Sequence, residues 1–252
     1  RLSLSFAGDL GWVKASFLAR YRDRPLDDRV LVGFPGGLDT RDVEARLGAL
    51  ALEAMAGAVR RGAPRVLVLV PCNTLAPVSW SLAERFARRG DLGALLEEAD
   101  AGDRADLADL ADRLAAGVRV DFPTVPEAVV RRAAADGARS LLPLGTAHIL
   151  EIYRQAAARA DAPVTICGLE AADHERVLAA ITNAIDGSPA GRRASRDDLE
   201  RIAAAAARDA AGPLAVVSAC TDLDYGVGLD SEPLYARHAV DLIYGDGPPA
   251  GG

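Results

Sequence analysis

The sequence contains few of the residues on which cofactor and metal chemistry depends. Lys14 is the only lysine among 29 basic residues, and it lies in a helix-like stretch, which disfavours a pyridoxal phosphate enzyme with its Schiff-base lysine. The three histidines are scattered and no Cys-x-x-Cys occurs, so no metal-ligand spacing is present and no metal site is expected. Neither a dinucleotide-binding Gly-x-Gly-x-x-Gly nor a Gly-x-Ser-x-Gly nucleophile elbow occurs. The sequence therefore favours chemistry without a cofactor.

Long apolar runs and excess positive charge are also missing. No stretch approaches the ~20 apolar residues needed to span a bilayer, and no signal peptide is visible. The net charge of −7 argues against a general nucleic-acid or membrane-surface binder. The cysteines number only three and are widely spaced, a pattern typical of free thiols in a reducing compartment. We expect a cytoplasmic protein.

Apolar strand-like runs alternate with helical patterns along the chain, which predicts an α/β fold with a mainly parallel sheet. The predicted strands span 2–8, 29–34, 65–70, 138–146, 163–169 and 214–219. The predicted helices span 12–22, 40–61, 77–89, 126–135, 147–159, 173–186, 196–210 and 232–243. The Asp-rich stretch 91–116 predicts a helical excursion with a solvated acidic face, and 187–195 predicts a loop.

The order of elements repeats weakly at a period of roughly 140 to 150 residues. RGAPRVLVLVPCNT aligns with AAGPLAVVSACT, which brings Cys72 and Cys220 into register at the ends of two strands. The repetition predicts two similar parallel-sheet α/β domains that face each other across a cleft. The first comprises 1–118 and 226–252 and carries Cys72, whereas the second comprises 119–225 and carries Cys220. Ligands of open α/β sheets bind beyond the carboxyl ends of the strands, so both thiols are expected in one cleft.

A cysteine between a strand end and a helix start is favoured as a thiolate by backbone N–H groups and the helix dipole. One such thiolate can remove a proton from a carbon while a second thiol protonates the opposite face. Cys72 and Cys220 are therefore candidate acid and base residues, and the product would be an inverted stereocentre. Cys167, inside the apolar run VTICGL, is interpreted instead as a small core residue.

The two cysteine motifs, PCNT at 71–74 and ACTD at 219–222, resemble the signature motifs of the aspartate/glutamate racemase superfamily. Three further segments are similar to those of its aspartate racemase-like members: AGDLGWVKASFLARY (7–21), LLPLGTAHILEIY (141–153) and LDSEPLYARHAVDL (229–242). The resemblance covers most of the chain outside 91–116. It implies the two-domain pseudo-two-fold fold, a homodimer, and an isomerase that needs no pyridoxal phosphate or other cofactor.

The resemblance also implies roles for individual residues. Cys72 and Cys220 would be the catalytic thiols, Arg41 would grip a distal carboxylate, and Asp9 would contact the substrate amine. The residues expected to bind substrate are Asp9, Arg41, Asn73, Thr74, Thr146, Thr221 and Asp222. The expected partner is a small amino acid or a related carboxylate, without nucleic acid or membrane.

The sequence departs from this family at positions that bear on the substrate. Leu144 occupies the place where aspartate-specific members often have a lysine, which removes one cation for a distal carboxylate. Asp222 stands where the family has Glu or His. An amino-acid racemase or epimerase, with aspartate or a related amino acid as the default substrate, is the leading interpretation. The alternatives are a maleate-type cis/trans isomerase, a hydantoin racemase, a decarboxylase, and a binding protein without turnover.

Overall fold

The computed structural model divides the chain into two compact units. The residues that it describes are 44, 48, 51–52, 65–87, 118–186, 188–220, 223 and 225–244. Of these, 65–69, 77–87 and 118–123 belong to the first unit together with the described residues before 65, and the rest belong to the second. The elements predicted before residue 44 and the acidic stretch 91–116 lie outside the described residues.

The described residues of the first unit include a parallel strand pair and a long helix. The elements are β1 (Arg65–Leu67), β2 (Arg119–Asp121) and α1 (Ala76–Ala87), whose first residue belongs to the second unit. β1 and β2 pair in parallel from Arg65 opposite Arg119 to Leu67 opposite Asp121. The ring of Phe86 on α1 packs 5.2 Å from that of Phe122, just after β2. The helix therefore contacts the segment that follows β2 through an aromatic pair.

The second unit is built on a four-stranded, fully parallel sheet in the order β4-β3-β5-β6. Its strands are β3 (Ser140–Leu144), β4 (Thr165–Ile166), β5 (Leu214–Ser218) and β6 (Leu229–Asp230). In the central strand β3, every residue from 141 to 144 is buried, as expected of a parallel strand covered on both faces.

The described part of the second unit also contains five helices: α2 (Val125–Ala135), α3 (Ala147–Arg159), α4 (Ala171–Asp186), α5 (Pro189–Asp209) and α6 (Ser231–Tyr244). α2 begins with a capping arrangement in which Glu127 N donates to Thr124 Oγ1, and Thr124 Oγ1 donates to Glu127 Oε2 at 2.8 Å. α4 and α5 pack together over β3 and β5, and the core between them includes Leu142, Val177 and Leu199.

The mixed α/β fold with parallel sheets confirms the sequence prediction at this level. One local prediction is wrong, because the expected loop over 187–195 is helical from Pro189 onward. Ser188 caps the helix by accepting a hydrogen bond from Gly191 N at 3.2 Å, and Pro189 fits the first helical position. The predicted domains, 1–118 with 226–252 and 119–225, stay a prediction.

The helices show no candidate for a membrane span. Among the residues described here, none forms a helix that is both long and apolar enough to cross a bilayer.

Candidate active site

Cys220 lies two residues beyond the carboxyl end of β5. Ala219 N donates to Leu144 O at 3.0 Å, so pairing with β3 continues up to the cysteine. The half-buried thiol is not in a disulfide, packs against the core and lines a cavity of about 260 Å³. The end of the sheet therefore places Cys220 at a small, partly open cavity, on the carboxyl edge where ligands of parallel sheets bind.

Part of the cavity wall is formed by the loop before α6. Ser218 Oγ donates to Val227 O at 3.0 Å, which ties this loop to the strand. Gly228 has φ +74°, and a Cβ there would lie 2.4 Å from Val216 O. Because no other residue fits this approach, Gly228 allows the loop to lie against β5 and close the cavity beside Cys220.

Cys72 lies in a tight turn between β1 and α1, within the 70–76 segment that belongs to the second unit. Val70 bridges to Thr124 in parallel, and Val70 N donates to the hydroxyl of Tyr235 at 3.0 Å. Cys72 N then donates back to Val70 O at 2.8 Å. These bonds anchor the turn to α2 and α6. The Cys72 side chain is half-buried, and the residue precedes α1 in the chain by four positions.

Asn73, directly after Cys72, is held by two buried hydrogen bonds. The hydroxyl of Tyr153 donates to Asn73 Oδ1 at 2.9 Å, and Asn73 Nδ2 donates to Ser231 Oγ at 3.5 Å. Complete burial raises the pKa of Tyr153 far above its ordinary value, so its hydroxyl remains a donor at neutral pH. A donor on the Oδ1 side turns the amide nitrogen of Asn73 toward Ser231.

Ser231 connects the two cysteine segments. It is buried at the start of α6, accepts the hydrogen bond from Asn73, and lines the same cavity as Cys220. The turn that carries Cys72 therefore reaches the wall of the Cys220 cavity through one side-chain hydrogen bond. This link joins two motifs that the sequence analysis paired only by their pattern.

Thr146 lies at the same edge of the sheet as Cys220. Leu144 is opposite Ser218 in the β3–β5 register, so Thr146 and Cys220 each follow a paired strand end by two residues. Thr146 is buried at the N-cap position of α3, and its side chain makes no capping hydrogen bond to that helix. Its hydroxyl is thus not committed to capping α3.

The remaining predicted site residues divide into two groups. Thr74 is half-buried in the Cys72 turn, beside Asn73. The other predicted substrate-binding residues, Asp9, Arg41, Thr221 and Asp222, lie outside the described residues. Cys167 is half-buried and packs against the same hydrophobic core as Cys220, so its interpretation as a core residue stays a prediction.

Three residues that the sequence did not identify form hydrogen bonds with the Cys72 turn: Tyr153, Ser231 and Tyr235. They lie 80 to 165 positions from their partners in the Cys72 turn. Tyr153 reads as one more apolar position of a helix, and Ser231 as an ordinary residue at a helix start. No spacing in the chain pairs them with Asn73 or Val70, so only the folded structure identifies them.

Two described histidines, His148 on α3 and His238 on α6, have lowered pKa values that favour the neutral form. Partial burial lowers the pKa of His148, with Glu151 opposing the effect. Burial and then Arg131 lower the pKa of His238, against the weaker effects of Asp241 and Glu127. Within the described part of the chain, no three His, Cys, Asp or Glu side chains are grouped as a metal site.

Comparison with known proteins adds no assignment. No protein-family model matches the chain, and no curated protein matches it significantly in sequence.

Proposed function

We propose that this protein is a cofactor-independent amino-acid racemase or epimerase that uses Cys72 and Cys220 as its acid and base. The observation that carries the proposal is the hydrogen bond from Asn73 Nδ2 to Ser231 Oγ. It connects the turn that holds one thiol with the wall of the cavity that the other thiol lines.

The proposed reaction transfers two protons and needs no oxidant or reductant. The thiolate of one cysteine removes the α-proton, and the electron pair of the broken C–H bond moves into the substrate carboxylate. The thiol of the other cysteine then donates its proton to the opposite face of the α-carbon as a new C–H bond forms. The stereocentre is inverted, and the thiol and thiolate have exchanged places.

Removal of an α-proton requires donors that stabilise the charge on the substrate carboxylate. Asn73, Thr74 and Thr146 are the described candidates for this role. In this proposal Thr221, Asp222 and Asp9 complete the substrate site, and Arg41 would serve only a substrate that carries a distal carboxylate. The facing pair of similar domains, the homodimer and the cytoplasmic location belong to the same proposal.

Deuterium exchange tests the proposal directly. The protein is incubated in D2O with L- and D-amino acids, while NMR follows loss of the α-proton and chiral chromatography follows inversion. We expect exchange with inversion in the wild type and its loss, or restriction to one enantiomer, in Cys72→Ser and Cys220→Ser. Cys167→Ser is the matched control and should retain both activities, because Cys167 follows β4 and is not among the described residues that line the cavity beside Cys220.

Two outcomes would contradict the proposal. Unchanged exchange in both cysteine variants would remove the thiols from the chemistry. Absence of exchange with any amino acid would exclude racemisation of that panel, and turnover of maleate, a hydantoin or a malonate would then indicate one of the related reactions. Ligand binding without any turnover would indicate a binding protein.

A further inference from the structure

The volume of the cavity beside Cys220 indicates the size of ligand that it fits. Its volume is about 260 Å³, slightly below the ~300–1,000 Å³ typical of small-molecule sites. A compound of amino-acid size fits this volume. The nature of the side chain that such an amino acid carries must therefore be read from the groups around the cavity.

The charged groups among the described lining residues of this cavity are acidic. Asp230 and Glu232 line it on either side of the buried Ser231. Asp230 Oδ1 accepts a hydrogen bond from Glu232 N at 3.1 Å, which fixes the Asp230 carboxylate at the start of α6. Both residues are exposed, and exposed carboxylates carry negative charge at neutral pH. A second carboxylate on the substrate would therefore meet charge of its own sign.

No described lining residue of the cavity is basic. Leu144, at the end of β3, is apolar and fully buried in the core. Arg192 approaches the loop that forms the cavity wall, but its guanidinium lies 5.4 Å from the ring centroid of Tyr225 and donates to Ala184 O. Neither Leu144 nor Arg192 therefore supplies a cation that would offset the negative charges of Asp230 and Glu232.

We infer that the site takes an α-amino acid whose side chain carries no carboxylate, and that Asp230 and Glu232 exclude aspartate and glutamate. The inference rests on the racemase function proposed above and specifies its substrate class. Asparagine and aspartate have nearly the same shape, as do glutamine and glutamate, so each pair isolates the effect of the charge. We expect kcat/KM for the amide to exceed that for the acid by about tenfold or more, since like charges a few ångströms apart repel at this scale.

The experiment compares the four amino acids in two assays. Deuterium exchange gives kcat/KM, and protection of Cys220 from iodoacetamide, followed by peptide mass spectrometry, gives binding without turnover. The variants are Asp230→Asn, Glu232→Gln and their combination; Asn retains an acceptor for the start of α6. Asp209→Asn is the control, because it removes the same charge from the exposed end of α5.

We expect the amide preference in the wild type and in the control, and a ratio within about threefold in the double variant because the repulsion is removed. Aspartate or glutamate exchanged as fast as its amide would overturn the inference while leaving the racemase intact. A ratio that is unchanged in the double variant would also overturn it. Protection of Cys220 by the amides without exchange would remove the racemase but keep the ligand class, whereas neither protection nor exchange would overturn both.

Discussion

The hydroxyl of Tyr153 is the group whose removal tests the described site most directly. It is fully buried on α3 and donates at 2.9 Å to Oδ1 of Asn73, which is itself only 2% exposed. Tyr153→Phe keeps the ring and deletes the hydroxyl alone. The packing of the helix is therefore preserved, and the variant removes one donor from the turn that follows Cys72.

The expected loss of stability follows from the burial of both partners. A buried hydrogen bond contributes about 0.5–1.5 kcal/mol net, and an acceptor left unsatisfied costs about 1–3 kcal/mol. Water cannot easily replace the hydroxyl, since neither side chain is accessible. We expect the free energy of unfolding of the second unit to fall by about 1–3 kcal/mol, which lowers the urea midpoint by roughly 1 M.

The same change should loosen the turn that carries Cys72. Without the Tyr153 donor, the amide of Asn73 is no longer fixed, and its bond to Ser231 weakens. A loss of ~1 kcal/mol raises the population of the opened turn about fivefold. We expect iodoacetamide to alkylate Cys72 faster by a similar factor, as measured on the Cys72 peptide by mass spectrometry.

Tyr225→Phe is the matched control for this prediction. Its hydroxyl is also buried and donates at 2.8 Å to Ala180 O, on α4 rather than in the Cys72 turn. Both variants should lose stability, but only Tyr153→Phe should accelerate alkylation of Cys72. Equal alkylation rates in the two variants, or a Tyr153→Phe protein as stable as the wild type, would refute the role given to this hydrogen bond.

Two further predictions concern the loop and the helix that complete the second unit. Gly228→Ala should destabilise the second unit by on the order of 4 kcal/mol, because the new Cβ would lie 2.4 Å from Val216 O and the residue has positive φ. Gly137 also has positive φ but has open space around it, so Gly137→Ala should cost only about 1–2 kcal/mol. Similar urea midpoints for the two variants would contradict this. Burial and then Arg131 hold the pKa of His238 below its ordinary value of 6.5. As the pH falls through 6.5, the unfolded chain therefore binds more protons at this residue than the folded chain does, and the free energy of unfolding should decrease. Unfolding measured from pH 7.5 to 5.5 should depend less on pH in His238→Gln, and an identical dependence would rule out this contribution.

Local sequence patterns predicted much of the second unit. The apolar run through Leu141 and Leu142 identified a buried strand, and Pro126 marked the first turn of a helix that begins at Val125. Such signals are local, since strand and helix preferences depend on neighbouring residues and their periodicity. The same approach missed the start of α5 at Pro189, where Gly and Ser suggested a loop but Ser188 caps a helix instead.

The sequence by itself determined that two thiols follow apolar strand-like runs in an α/β chain, because each cysteine stands next to its apolar run in the chain. Only the tertiary structure decided that the Cys72 turn belongs with the four-stranded sheet and that Asn73 contacts Tyr153 and Ser231. Those partners are 80 and 158 positions away, and their side chains meet only because β3, α3 and α6 pack in one unit. Contacts at such separation are set by packing rather than by local preference, which is why the link between the two cysteine motifs emerged from the fold alone.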